Sequence, residues 1–171
     1  MKRITIPIIT ACLFLYSCSM DEIPQASVDK ETVFNNENGL ETYSYSFYNM
    51  LPSVTNGYNM DAMCDYGAVT NYNDFIRKGA YSAELSTGWD WEDLRNINYF
   101  IENCTSEAVE ENVRNNYIGL ARFFRAYFYY NKVVRFGDVP WIDRTLTVDD
   151  ELLFAPRDSR TVVMDHVLED F

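Results

Sequence analysis

The stretch GLARFFRAYFYYNKVVRFGDVPW, Gly119 to Trp141, restricts the possible folds more than any other part of the chain. It holds eight aromatic residues and four positive charges, and it closes on a glycine and a proline. Placed on a helical wheel from Val113 to Val134, the residues Arg114, Asn115, Arg122, Arg125, Tyr129 and Lys132 fall within about 100° of one another. Nearly all the rest is apolar or small. That apolar arc is roughly twice the stripe of an ordinary surface helix, so the helix must be covered on two sides. Phe123, Tyr127 and Tyr130 are expected to be packing residues. Gly119 and Ala126, on one face, are expected to let a neighbouring helix come close. A helix with neighbours on both sides belongs to bundles and to helical arrays, although a tetratricopeptide period is not legible in the spacing.

The flanking segments read as further helices. Asn36 is a good N-cap with Glu37 in the first turn behind it. Leu40, Tyr43, Phe47 and Met50 then recur at spacings of three and four until Pro52 stops the pattern. Thr32–Phe34 reads as a short turn. A second helix is expected from Trp89 to about Asn103, with Trp91, Leu94, Ile97 and Ile101 as its apolar stripe. The aromatic helix is expected to start near Ser106 and to end at Gly137, with Pro140 just beyond. A loop or short hairpin over 141–156 leads to a last helix opening near Asp158 or Ser159 and carrying Val162, Val163, Val167 and Phe171. Residues 53–88 lose the helical period and are rich in Asn, Asp, Gly and Tyr, which is turn chemistry. A loop that long tends to be functional.

The N-terminus carries a different signal. Lys2 and Arg3 precede a 13-residue apolar run, Ile4–Tyr16. That run is too short to span a bilayer as a helix and fits the core of a secretory signal. It ends in Leu15-Tyr16-Ser17-Cys18, a small residue followed by a cysteine, as in a bacterial lipobox, where the thiol takes a diacylglycerol. Ile9-Thr10-Ala11-Cys12 fits the strict consensus better, but cleavage there leaves four bulky apolar residues on the mature end. Cys18 is therefore the expected lipidation site, and a plain secreted signal is the alternative. Cys64 and Cys104 remain; they allow either a pair or two buried singles. The formal net charge of −12 argues against nucleic acid, which demands clustered Lys and Arg. The single histidine, His166, and the absence of CxxC or HExxH spacing leave no pattern for a metal or other cofactor.

The block YIGLARFFRAYFYYNKVVRFGDVPW, Tyr117–Trp141, resembles the signature helix of the SusD/RagB family through Tyr117, Gly119, Ala121, Arg122, Phe123, Arg125, Ala126, Tyr127, Phe136, Gly137, Asp138, Val139 and Pro140. WEDLRNINYFIEN (Trp91–Asn103) and RDSRTVVMDHVLEDF (Arg157–Phe171) resemble the helices before and after it. Leu120 stands where the family often has Glu. The acidic Asp21-Glu22 after Cys18 resembles a surface-export signal of Bacteroidetes lipoproteins. The resemblance implies a mostly all-α fold of tetratricopeptide-like helical pairs with long loops. It implies a signal peptide over 1–17, an extended linker over 18–35 and a partial N-terminal helical domain over 36–171, since family members are much longer. It further implies a lipid-anchored, surface-exposed outer-membrane protein that is no enzyme. Such a protein binds an oligosaccharide and delivers it to a SusC-type TonB-dependent transporter.

Sugar sites combine aromatic faces with Asn, Asp and Arg donors and acceptors. The long loop has that mixture, and Trp89, Tyr72, Asn73, Asp74, Tyr66 and Tyr81 are its candidate ligand residues; the competing reading is that these side chains anchor the loop to the helices. Arg122 and Arg125 are expected to fix loops, and Asp138 to cap a turn. Two other functions stay open: a peptide-binding relative on the same scaffold, and a helical adaptor without a small ligand. A glycoside hydrolase needs two carboxylates at a set separation, and no local motif isolates such a pair among the 26 Asp and Glu residues.

Lipidation is testable on the full chain in a bacterium fed a clickable fatty acid. The label is expected to vanish in Cys18→Ala and to persist in Cys12→Ala; the opposite pattern assigns the anchor to Cys12.

Overall fold

A computed structural model describes residues 30–53, 79 and 82–171. Every element in them is helical, and the only ladder contact is an isolated antiparallel bridge between Val139 and Asp158. The helices are α1 (Lys30–Phe34), α2 (Glu37–Ser44, continued as a 3-10 segment Tyr45–Met50), α3 (Glu92–Asn103), α4 (Glu111–Phe136) and α5 (Arg160–Asp170), with short 3-10 turns at Ala83–Leu85 and Glu151–Phe154.

The caps follow the sequence closely. Asn36 Oδ1 accepts the Gly39 N–H at 2.8 Å, while its Nδ2 donates to the Thr32 carbonyl at 2.6 Å. One side chain thus starts α2 and ties it to α1, a short helix where the sequence suggests only a turn. The tightening into a 3-10 segment has a local cause. Ser44 Oγ donates to the Glu41 carbonyl at 2.7 Å and Ser46 Oγ to that of Tyr43 at 2.8 Å, and such back-bonding bends helices. Leu51 is extended, with ψ 144, as the residue before Pro52 must be. Gly137 ends α4 with φ 73, a conformation that glycine adopts without strain. Ser159 caps α5, and Asp138 Oδ1 accepts the Arg160 N–H at 2.8 Å.

Two helix starts lie later than the periodicity predicts. Asp90 Oδ1 accepts the Glu92 N–H at 3.0 Å, so α3 begins at Glu92 and Trp89 precedes it. Ser106–Val109 closes as a turn, and α4 begins at Glu111.

Helix α4 is two-sided, packing along α3 and α5 and also touching α2. One core cluster joins Phe34, Leu40, Phe47, Ile97, Phe100 and Cys104 to Ala121 and Phe124 of α4. The other joins Leu94, Val139, Val163 and Val167 to Ala126, Phe128 and Tyr129 of α4. Cys104 is a buried free thiol, and burial pushes it up to about 11; Cys64 lies outside the described residues.

The orientation of α4 differs from the expectation in an instructive way. Its polar stripe faces inward. Arg125, Tyr129 and Lys132 are buried, whereas Phe123 is 42% and Tyr130 51% exposed. The polar residues are engaged by loop backbone and by α5. Arg125 makes a bidentate contact with Asp170, Nε to Oδ2 at 2.6 Å and Nη2 to Oδ1 at 2.7 Å, and donates to Asn98 Oδ1 and the Asp143 carbonyl. Tyr129 Oη donates to the Ile142 carbonyl at 3.1 Å and accepts the Ile142 N–H at 2.6 Å. Arg114 donates to the Ser106 and Val109 carbonyls. Arg122 also reaches Asp170, at 3.0 Å, from a far more exposed position. Arg125 therefore fixes a loop, as expected, whereas Arg122 contacts the end of α5 and no loop among the described residues.

The close helix approach is real but sits elsewhere. A Cβ on Gly119 would meet nothing within 4 Å, whereas one on Gly39 would lie 2.1 Å from the Val33 carbonyl oxygen. Gly119 is an exposed helix position and contacts no neighbour closely. Gly39→Ala is therefore expected to destabilise the protein by about 1–3 kcal/mol, and Gly119→Ala to stabilise it by about 0.5–1 kcal/mol; urea midpoints of the two variants check both signs. In the same assay Asp170→Ala, which strands a buried guanidinium, is expected to cost roughly 3–5 kcal/mol, and Arg122→Ala under about 1 kcal/mol. Equal losses would contradict the central role given to Arg125.

Candidate ligand-binding surface around Trp89

Of the six candidate ligand residues, Tyr66, Tyr72, Asn73, Asp74 and Tyr81 lie outside the described residues. Trp89 lies within them, and its surroundings are well defined. Gly88, with φ 87, turns the chain into it. Lys132 Nζ then donates to the carbonyls on both sides of it, to Gly88 at 2.6 Å and to Asp90. Trp89 is thus held through its neighbouring carbonyls by a buried lysine on α4. Desolvation lowers the Lys132 pKa, against the pull of Asp90 and Asp93. The ammonium also lies 4.7 Å from the Phe128 ring centroid and 5.5 Å from that of Trp91, within cation–π range.

The indole itself is fixed by ring contacts near right angles, with Trp91 at 5.2 Å and Phe136 at 4.9 Å. It remains 42% exposed. Trp91 is half-buried and packs on the second core cluster, as its helical register predicts. Two arginines complete the surface. The Arg157 guanidinium carbon stands 4.5 Å over the Trp89 ring. A side-chain carbon placed on Gly88 would lie 3.6 Å from Arg135 Nε and 3.7 Å from its Cζ, so that guanidinium covers Gly88. The sequence reading singled out neither arginine for ligand. Arg135 sits inside the signature block and Arg157 after the 141–156 loop, and no spacing rule links either to Trp89.

The surface offers a rigid, partly open aromatic platform with guanidinium donors at its rim. That combination can hold a sugar ring by CH–π contact and its substituents by hydrogen bonds. His166 is engaged in packing: its ring stacks on Trp141 at 4.6 Å and 17°, with Glu169 Oε2 at 3.2 Å from Nδ1. A separate open groove of about 550 Å3 is lined by Lys30, Asn38, Thr42, Tyr43 and Tyr99 among others. Several of its polar groups are already committed. Tyr43 Oη donates to Asn96 Oδ1 at 2.6 Å, and Thr42 Oγ1 to the Asn38 carbonyl at 2.7 Å. Burial and the neighbouring Tyr99 push the Tyr43 hydroxyl up to about 12. Among the described residues no group of three or more His, Cys, Asp or Glu side chains converges as a metal site would, and no helix is long and apolar enough to cross a membrane.

Comparison with known proteins places this architecture. A SusD-like family, described as starch-binding and associating with the outer membrane, matches residues 27–171. A crystal structure of a SusD-like protein from Bacteroides fragilis NCTC 9343 superposes with a TM-score of 0.62 at 23% identity, over 90% of this chain and 31% of its own. The chain thus spans about a third of that protein's length, and at this identity the likeness speaks for the fold. No curated protein matches the chain. With the family match running from just before α1 through α5 and the same fold in a solved SusD-like structure, the chain belongs to the SusD-like family.

Proposed function

We propose that this protein binds an oligosaccharide at the outer surface of a bacterium and passes it to a SusC-type TonB-dependent transporter without chemical change. Membership of a family described as starch-binding and outer-membrane-associated supports the ligand class and the location. The observation in this chain that carries the reading is Trp89: an indole 42% exposed, yet fixed by two aromatic rings and a lysine clamp. An exposed large aromatic held rigidly loses little entropy when a ring stacks on it, and core packing does not require it to be open. Within this reading residues 1–17 are a signal peptide, Cys18 is the lipid anchor, and the tether expected over 18–35 gives way at Lys30 to α1, whose Phe34 packs in the core of the helical domain. The loop residues Tyr66, Tyr72, Asn73, Asp74 and Tyr81 are its further ligand contacts.

Calorimetric titration of the full chain with maltoheptaose and with mixed plant oligosaccharides tests the reading. Trp89→Ala and Tyr72→Ala are each expected to lower affinity by about ten- to a hundredfold, by analogy with aromatic stacking of nucleic-acid bases, while Tyr127→Phe leaves it unchanged. Normal binding by both folded loop variants would make the loop scaffold. Binding of peptides in place of sugars would move the chain to a peptide-binding role.

A further inference from the structure

Arg157 lies on the Trp89 ring and Arg135 beside Gly88. The chain carries 26 acidic and 14 basic side chains, so carboxylate partners are plentiful. Arg122 and Arg125 pair with Asp170, and Arg144 with Asp150. Arg135 and Arg157 form no ion pair among the described residues. Among the described residues Arg157 donates to the Asp138 carbonyl alone, at a long 3.4 Å, and otherwise lies on the Trp89 ring. Arg135 lies 5.5 Å from the Phe136 ring centroid. Both are exposed. The acids on the neighbouring segments direct an oxygen to backbone amides instead: Asp90 to Glu92 N–H at 3.0 Å, Asp138 to Arg160 N–H and Asp158 to Trp141 N–H, both at 2.8 Å. One guanidinium therefore stands over the indole and a second beside the preceding Gly88, neither paired with a carboxylate among the described residues.

We propose that the Trp89 surface selects anionic oligosaccharides, pyranose chains bearing carboxylate or sulfate groups, with Arg135 and Arg157 as the specificity-determining residues. The proposal rests on the reading of Trp89 as a stacking platform. Arginine presents a planar fork that matches a carboxylate bidentately and also stacks on aromatic faces. Arg157 already lies over the indole. A neutral sugar taking that place would displace a cation–π contact and gain no charge pair. An acidic sugar gives the displaced guanidinium an anion, and Arg135, across Gly88, supplies a second. The overall charge of −12 repels polyanions at long range, so recognition depends on these local contacts and is weakened by salt.

Titration calorimetry of the full chain with tetragalacturonate, its methyl ester, a chondroitin sulfate tetrasaccharide and maltotetraose tests the proposal. Tetragalacturonate or the sulfated sugar is expected to bind at least about tenfold more tightly than either neutral probe, the loss of one charge-assisted contact being worth about that factor. Arg135→Gln and Arg157→Gln are each expected to lower the affinity for the acidic ligand by about tenfold, and that for maltotetraose by clearly less. Which acidic probe binds tells carboxylate from sulfate. Neutral probes that bind as tightly as acidic ones, with both arginine variants unchanged and Trp89→Ala weakened, would overturn the charge selectivity and leave the glycan reading standing. Failure of all four probes to bind a chain shown folded by circular dichroism would overturn both.

Discussion

The buried guanidinium of Arg125 is the contact on which the rest of this architecture depends. It lies on α4 between the two core clusters, and a charge there is tolerable only if every donor finds an acceptor. Its partners come from three other segments: Asp170 at the end of α5, Asn98 on α3, and the Asp143 carbonyl in the loop after the signature turn. Asn98 is itself fully buried and donates to the Ile142 and Arg144 carbonyls. Helix α3 and that loop are therefore tied twice, once through Arg125 and once directly through Asn98. Trp141 closes the assembly, stacked on Tyr129 at 4.3 Å and on His166, with the Arg125 guanidinium 5.5 Å from its ring. Apolar burial supplies most of the cohesion, but it is non-directional. The polar network fixes how α3, α4 and α5 are set against each other.

That network also explains which parts of the fold could be read from the sequence. Local chemistry was legible. Asn36, Gly137 and Ser159 mark helix ends through contacts within four residues, and the apolar periods of α2 and α3 name their buried faces. The direction of α4 was not. Its wheel separates a polar stripe from an aromatic arc correctly, yet burial takes in the later part of the stripe, Arg125, Tyr129 and Lys132, together with only part of the arc. Arg and Lys stems are apolar along most of their length, and Tyr129 is mostly ring, so a polar face can pack once its tips find partners. Those partners lie on other segments. No local pattern reveals that Asp170 is within reach of Arg125. The outer arc, with Phe123, Tyr130 and Val134, is exposed in consequence. Gly119 and Gly39 teach the same lesson: each is a glycine in a helical pattern, and only the position of α1 makes one of them indispensable.

The candidate site shows a similar division. Loop composition, with Trp89 at the loop's end, pointed to it from sequence. Its immobilisation did not show there, because the groups responsible are Lys132 and Phe136 on α4 and Trp91 at the start of α3. Lys132 reads on the wheel as part of a solvated stripe. In the fold it donates to the backbone on either side of Trp89, so the face of α4 that organises the core through Arg125 also sets the platform through Lys132, two turns further along.

This shared face has a mechanical consequence. Arg125, Tyr129 and Lys132 follow one another at spacings of four and three, and they hold two separate stretches of backbone: Ile142–Asp143, and Gly88 with Asp90. Arg157 lies over Trp89 in the stretch that the Asp138 and Asp158 contacts tie to the signature turn. Loop and arginine rim are thus positioned by the same helix from opposite ends of its terminal turn. A platform mounted in this way keeps its indole and its guanidiniums in register without relying on the loop's own conformation. Recognition built on rigid elements is geometrically more exacting than recognition built on loops alone. The long α4 helix, which at first sight is only the hydrophobic centre of the chain, therefore sets both the packing of its neighbours and the geometry of the surface they present.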